Sequence, residues 1–156
     1  MKMKNKILSF LIFLFLSSCG YEAVYSLKNK MKYDFSISEL NFIGDRDTNL
    51  KIKTELNNYT LSKKDKNFIL NISSTTEKII LAKDNSGDPT NFKIETSVDV
   101  SIFSNNILKG SFIFLETFNY ANNSNKLELK VYEKEIKNSL AKTIAQKLIF
   151  KLSNVQ

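Results

Sequence analysis

Histidine and tryptophan are absent from these 156 residues, cysteine and proline occur once each, and glycine occurs four times. Without histidine the commonest general base is missing, and with it the commonest nitrogen ligand for a metal. A single cysteine allows no intramolecular disulfide and no cysteine-rich metal centre. Arginine is almost missing too, since Arg46 stands alone against lysine for all other side-chain cations, so the planar forks that read phosphate and base edges are scarce. No glycine-rich loop is laid out to cradle a phosphate. These gaps point away from an enzyme, from a resident metal or cofactor, and from a nucleic-acid partner.

What is present begins at the N-terminus. Lys2, Lys4 and Lys6 form a positive region, followed by an apolar stretch of ten residues from Ile7 to Leu16. That stretch is short of the ~20 residues a membrane-spanning helix needs. Its layout is that of a secretory leader, which is set aside when the fold is considered. Leu16-Ser17-Ser18-Cys19 then looks like a bacterial lipobox, with small residues before the bond to be cleaved and Cys19 as the residue acylated. One acyl chain gives only marginal membrane binding, and two signals suffice for stable anchoring. A bacterial lipoprotein cysteine resembles a site carrying three chains. Gly20 rather than Asp after the cysteine is similar to the pattern that sends enterobacterial lipoproteins to the outer membrane. The chain is therefore divided into a signal peptide at 1–18, an acylated tether at 19–32 and a single domain at 33–156. Loss of the three leader lysines lowers the formal charge from +7 to +4, a modest excess for a nucleic-acid binder.

Within the domain, Tyr33, Phe35 and Ile37 alternate with polar residues and predict a strand. The alternation slips after Ile37 to Leu40 and Phe42, which predicts a bulge or bend. Gly44-Asp45-Arg46-Asp47 ends it, and Asp47 or Thr48 is the expected cap of a helix with Leu50, Thr54 (or Lys53), Asn57 and Leu61 roughly along one side and a thin apolar stripe through Leu50, Leu56 and Tyr59. Phe68, Leu70 and Ile72 alternate, and after the polar run Ser73 to Lys78 comes Ile79-Ile80-Leu81, read as one long strand or a pair with an irregular middle. Lys83 to Thr90 is a turn. Phe92, Ile94, Thr96, Val98, Val100 and Ile102 then share one strand face, opposite a polar face of mixed sign that fits a solvated sheet. Asn105-Asn106 makes a tight turn into a partner strand from Ile107 to Tyr120. Finally Leu129, Tyr132, Ile136, Leu140, Ile144, Leu148 and Leu152 recur at helical steps. The order β-α-β-β-β-α predicts an α+β two-layer sandwich: about four strands, mostly antiparallel, covered on one face by two helices.

Asp84 and Asp88 around Gly87 are faintly spaced like a calcium loop, but the closing Glu is missing and turn chemistry explains them. The more suggestive charges are Lys126, Lys130 and Lys134, at i, i+4 and i+8 near the start of the last helix. Like charges so spaced repel, and cations are disfavoured at a helix N-terminus. A row held against both effects suits an anion-binding stripe for lipid phosphates. The plainer alternative is local neutralisation by Glu128, Glu133 and Glu135. Lys63, Lys64 and Lys66 form a second cluster with the same two readings.

Cys19-Gly20-Tyr21-Glu22-Ala23-Val24-Tyr25 resembles the Cys-Gly-Phe-x-Pro-Leu-Tyr opening of the LPS-assembly lipoprotein LptE family, especially its alphaproteobacterial type. Tyr21, Ala23 and Val24 depart from that pattern. Ile43-Gly44-Asp45-Arg46-Asp47-Thr48-Asn49-Leu50, followed by Leu56, is similar to the family's strand-turn-helix, and the element order and long last helix agree as well. The resemblance implies a non-enzymatic outer-membrane lipoprotein on the periplasmic side. It would be plug and assembly partner of an LptD-like β-barrel in lipopolysaccharide transport, with lipopolysaccharide itself as a ligand. The competing expectation is an auxiliary lipoprotein of an ABC-type lipid or solute transporter.

Overall fold

The computed structural model describes residues 33–61 and 63–155. The leader, Cys19 and the tether at 19–32 lie outside the described residues. Four strands and two helices follow in chain order: β1 Ser36–Gly44, α1 Arg46–Leu56, β2 Asn67–Lys83, β3 Pro89–Ser104, β4 Ile107–Ala121 and α2 Lys126–Asn154, with a single turn of tighter helix at Asn57–Tyr59 after α1. The sheet order is β1-β2-β3-β4, with β1 parallel to β2 and the other two pairs antiparallel. This is the α+β two-layer sandwich the sequence predicts.

Gly44 and Asp45 turn the chain from strand into helix. Gly44 sits at φ +96°, where a β-carbon would collide with the carbonyl oxygen of Ser74 on the neighbouring strand. Asp45 then caps α1, its Oδ1 accepting from the Thr48 N–H at 2.8 Å. The expected cap at Asp47 or Thr48 is thus corrected by two or three residues. The expected apolar stripe is corrected as well. Ile52 and Leu56 are buried with Thr48 and Asn49, whereas Leu50 and Leu61 are exposed. Leu50 lies two residues, or about 200°, from Ile52 around the helix, so both cannot face the sheet.

The bulge expected after Ile37 is present between Ile37 and Glu39, and it restores Leu40 and Phe42 to the packed side. β2 is one strand through the polar run, its irregularity falling between Ile80 and Lys83 instead of in the middle. Backbone ladder bonds do not depend on side-chain polarity, so Ser73–Lys78 keep their pairing with β3. On β3 the six residues from Phe92 to Ile102 that alternate inward are all buried. Asn105 and Asn106 both have positive φ, 51° and 62°, as a two-residue hairpin turn with right-handed twist requires.

The inner layer is divided. One core gathers sixteen buried residues, among them Phe35, Ile52, Leu70, Ile102, Leu148 and Leu152. A second holds six: Phe92, Ile94, Tyr120, Leu129, Ile136 and Leu140. Between them runs a polar belt. Thr48, Thr76 and Thr96 join hydroxyl to hydroxyl at 3.0 and 3.3 Å across α1, β2 and β3. Thr96 pairs in register with Glu116 of β4, and Glu116 forms an ion pair with Lys147 of α2. Ser74 donates to Asn49 Oδ1 at 2.7 Å, and the Asn49 amide donates to Ile43 O at 3.1 Å. Each buried polar side chain is thereby satisfied, as burial demands.

The belt coincides with the end of β1. Gly44 opposite Ser74 is the last β1–β2 pair, so Thr75 to Lys83 of β2 have no strand on that side among the described residues. The molecule is thus a four-stranded body under both helices, continued by a three-stranded extension under the first half of α2.

Candidate functional site

The extension carries the lysine row. α2 begins at Lys126, with Asn125 as its cap: the Asn125 side-chain oxygen accepts from the N–H groups of Leu127 and Glu128. The loop before it is tied to the start of β3, where Asn122 N donates to Thr90 O and the Asn122 amide to Pro89 O at 2.7 Å. The helix start is therefore fixed relative to the sheet.

Lys126, Lys130 and Lys134 are all exposed, and four-residue spacing places them along one side of α2. Lys126 Nζ reaches only neutral oxygens, Asn122 Oδ1 at 3.3 Å and Asn123 O at 3.4 Å. Among the described residues none of the three forms an ion pair. Of the carboxylates that could neutralise them, only Glu133 is committed elsewhere, and the exposed Glu128 and Glu135 form no ion pair with the row among the described residues. Glu128 accepts from the Asn123 amide. Glu133 faces the sheet, where it accepts from Lys78 Nζ at 2.6 Å and from the Tyr120 hydroxyl at 2.8 Å. Glu135 makes no ion pair among the described residues.

The Lys78–Glu133–Tyr120 cluster explains why this carboxylate is unavailable. Burial on its own raises the Glu133 pKa, but the hydrogen bonds from Lys78 and Tyr120 and the charges of Lys78 and Lys137 outweigh it and hold the group below its ordinary value. The Tyr120 hydroxyl is pushed well above the usual phenol range by burial and by donating to Glu133. Lys78 also lies over the Phe92 ring, 3.8 Å from its centroid. The cluster is a structural clasp of α2 onto β2 and β4, and the lysine row lies outside it.

Beside the lysines the structure adds two residues not singled out in the sequence. Leu127 is 74 % and Val131 53 % exposed, each next in sequence to a lysine of the row. They could have been found in the sequence as apolar residues two positions, about 200° around the helix, from Leu129 of the buried stripe. An open cleft of about 690 Å³ lies between the end of β4 and the first turns of α2, lined among others by Tyr120, Asn122, Asn123, Ser124, Glu128 and Tyr132. Cations beside exposed aliphatic groups suit a ligand that is itself anionic and greasy.

The second cluster, Lys63, Lys64 and Lys66, lies at the opposite end of the sheet, before β2. The acidic turn takes a structural part: Asp84 Oδ1 accepts from the N–H groups of Ser86 and Asp88, both at 2.9 Å. Among the described residues no three acidic or cysteine side chains converge on a metal position.

The fold and this surface define a small α+β domain with a cationic, partly apolar helix face at one end. No family model and no curated protein matches the chain. Solved structures do. Rare lipoprotein B from Shewanella oneidensis superimposes with a TM-score of 0.54 at 12 % identity, over 74 % of this chain and 97 % of that one. A minor lipoprotein from Acinetobacter baumannii gives 0.56 at 13 %, over 76 % and 92 %. Lipoprotein B from Nitrosomonas europaea gives 0.57 at 17 %, over 76 % and 83 %. At these identities the likeness is one of fold.

Proposed function

We propose that this chain is a lipid-anchored lipoprotein of the outer membrane, held by acylated Cys19 on the periplasmic side. Its role is to assist lipopolysaccharide assembly as plug and assembly partner of an LptD-like β-barrel. Its work is binding and positioning, with no catalytic step. Three things support the reading: the leader and lipobox of the sequence, the resemblance of its opening to the LptE family, and a fold shared with structures of bacterial lipoproteins. The outer sheet face is polar along β3, from Lys93 to Ser101, which suits the wet interior of a large barrel, while β4 adds exposed Ile113 and Leu115 to it.

The observation that carries ligand contact is the exposed row Lys126, Lys130 and Lys134, free of ion pairs among the described residues and flanked by exposed Leu127 and Val131. Lipid A phosphates would meet the lysines and its acyl chains the aliphatic groups. Such contacts between exposed charges weaken with salt, whose Debye length is ~10 Å at 0.1 M.

Two measurements test this. Replacing all three lysines by Gln should weaken lipopolysaccharide binding at low salt and flatten its salt dependence, and unchanged affinity removes the row from the site. Recovery of the chain in mild detergent should bring down a large outer-membrane barrel. Recovery of an inner-membrane transporter complex would replace this reading with that of a transporter auxiliary protein.

A further inference from the structure

The end of the body farthest from the lysine row has a surface of its own. The first described residue, Tyr33, enters there, just before β1 begins with Ser36 opposite Asn67. The loop before β2 lies at the same end, since Ser36 N donates to Lys66 O at 2.8 Å. So does the β3–β4 hairpin, because Ile69 pairs with Phe103 and Ser104 with Ile107. The C-terminus of α2 joins them through Lys66 Nζ and Val155 O at 3.2 Å.

Three large apolar side chains at this end face solvent: Leu61 at 75 %, Ile107 at 62 % and Leu108 at 55 % exposure. Four lysines accompany them, Lys63, Lys64, Lys66 and Lys109, against exposed Asp65 and Asp34, and among the described residues only Lys64 of the four forms an ion pair, with Asp34 at 3.2 Å. Single exposed leucines are ordinary on a protein surface. Here they share one end of the sheet with an excess of cations, and the tight Asn105-Asn106 turn fixes two of them at a hairpin mouth.

We propose that this end is a membrane-resting rim: Leu61, Ile107 and Leu108 enter the headgroup region of a lipid bilayer, and Lys63, Lys64, Lys66 and Lys109 meet its anionic phosphates. The proposal rests on acylation of Cys19 but not on the barrel. Thirteen residues, 20–32, separate Cys19 from Tyr33. Even fully extended they reach at most about 45 Å. β2, with seventeen residues, is itself about 55 Å long at ~3.3 Å per residue. An anchored chain therefore cannot stand on its far hairpin, because the tether would not span the height, whereas an orientation with this end at the bilayer is within reach. Apolar side chains beside lysines are the chemistry of an interfacial contact with anionic lipid. The same orientation holds the Lys126 row away from the anchoring leaflet.

The test uses the full acylated chain in nanodiscs of phosphatidylcholine, alone or with phosphatidylglycerol. Acylated Cys19 leaves any new thiol as the sole labelling site, so a fluorophore is placed at Ser104→Cys by the hairpin mouth or at Ser86→Cys in the far turn. Lipid-borne quenchers should quench the first and not the second, more strongly with the anionic lipid. Ile107→Ser with Leu108→Ser should abolish the quenching. Replacing the four lysines by Gln should remove only the increment due to anionic lipid. Equal quenching at both positions, or none at residue 104 in a chain whose Cys19 carries its acyl mass, overturns the rim and leaves the anchor intact. A bare Cys19 thiol in protein recovered from cells overturns the anchor and the rim together.

Discussion

The body and the extension are built from the same three strands and the same long helix, yet they are secured differently. In the body, β1 and α1 close the layer, and sixteen buried residues surround side chains such as Leu70, Ile144 and Leu148 with no exposure at all. In the extension, six buried residues on β3, β4 and α2 make up the core, and no strand pairs with the outer edge of β2 among the described residues. There the packing is aromatic: Phe92 stacks on Tyr120 at 5.5 Å, and Tyr132 meets Phe118 and Tyr120 edge-on. The polar belt lies between, so apolar contact is not continuous from one core to the other. Segments with fewer buried contacts open at lower free energy. The region that carries the cationic row is then the one expected to fluctuate, and the body around Leu70 and Leu148 the one expected to hold firm.

The largest effects should separate the two regions. Leu148→Ala removes a fully buried side chain from the body core and should cost about 2–5 kcal/mol of global stability in denaturant unfolding. It should lower hydrogen-exchange protection of both regions together, since no part of the extension has a core without α2. Ile94→Ala, equally buried but in the small core, should speed exchange at Phe92 to Thr96 and at Phe118 to Tyr120 while leaving Leu70 and Ile102 protected. Uniform loss from both variants would mean that the belt does not divide the protein energetically.

The belt itself comes next. Ser74→Ala deletes a hydroxyl that donates to Asn49 Oδ1 and lies within 3.2 Å of Asp45 O. The partner left unsatisfied in a buried setting should cost about 1–3 kcal/mol. Because Asn49 also holds the carbonyl of Ile43 at the end of β1, that loss should appear as fraying where β1 passes into α1. A thermal melt indistinguishable from the parent chain would show the belt to be passive.

How much of this is legible in the sequence depends on the range of the interaction. The inward face of β3 and the bulge after Ile37 are plain in the alternation, because period two is a local property of the backbone. The buried stripe of α2 is legible for the same reason at a helical step, except at Tyr132, which is exposed and instead meets Phe118 and Tyr120 edge-on. α1 is misread because half its buried face is polar: Thr48 and Asn49 point inward to partners on β2 that no local pattern reveals. The run Ser73–Lys78 leaves one long strand and an irregular pair both open in the sequence, and the first holds because Ser74 and Thr76 are belt residues within an unbroken strand. The lysine row is visible from its spacing. That Glu133 does not neutralise it is not visible, since its partners Lys78 and Tyr120 are 55 and 13 residues away.

Glu133 offers the smallest and most selective probe of the extension. Its folded pKa lies below its ordinary value through the hydrogen bonds from Lys78 and Tyr120 and the charges of Lys78 and Lys137, although burial opposes them. Between the folded and unfolded values the unfolded chain therefore binds more protons, and stability rises with pH. The contribution of this group is complete above the ordinary carboxylate range and is lost as pH falls through the folded value. Glu133→Gln keeps an acceptor for the Tyr120 hydroxyl but discards the charge facing Lys78, and with the pair partly solvated the cost should be about 1 kcal/mol or less at neutral pH. Acidification should then lower the protection factors of the parent extension, taken against the intrinsic exchange rate at each pH, and narrow the difference between parent and variant, with the body unaffected by the substitution at any pH. A variant that differs from the parent as much in acid as at neutral pH would show that the clasp holds by shape and hydrogen bonding rather than by charge.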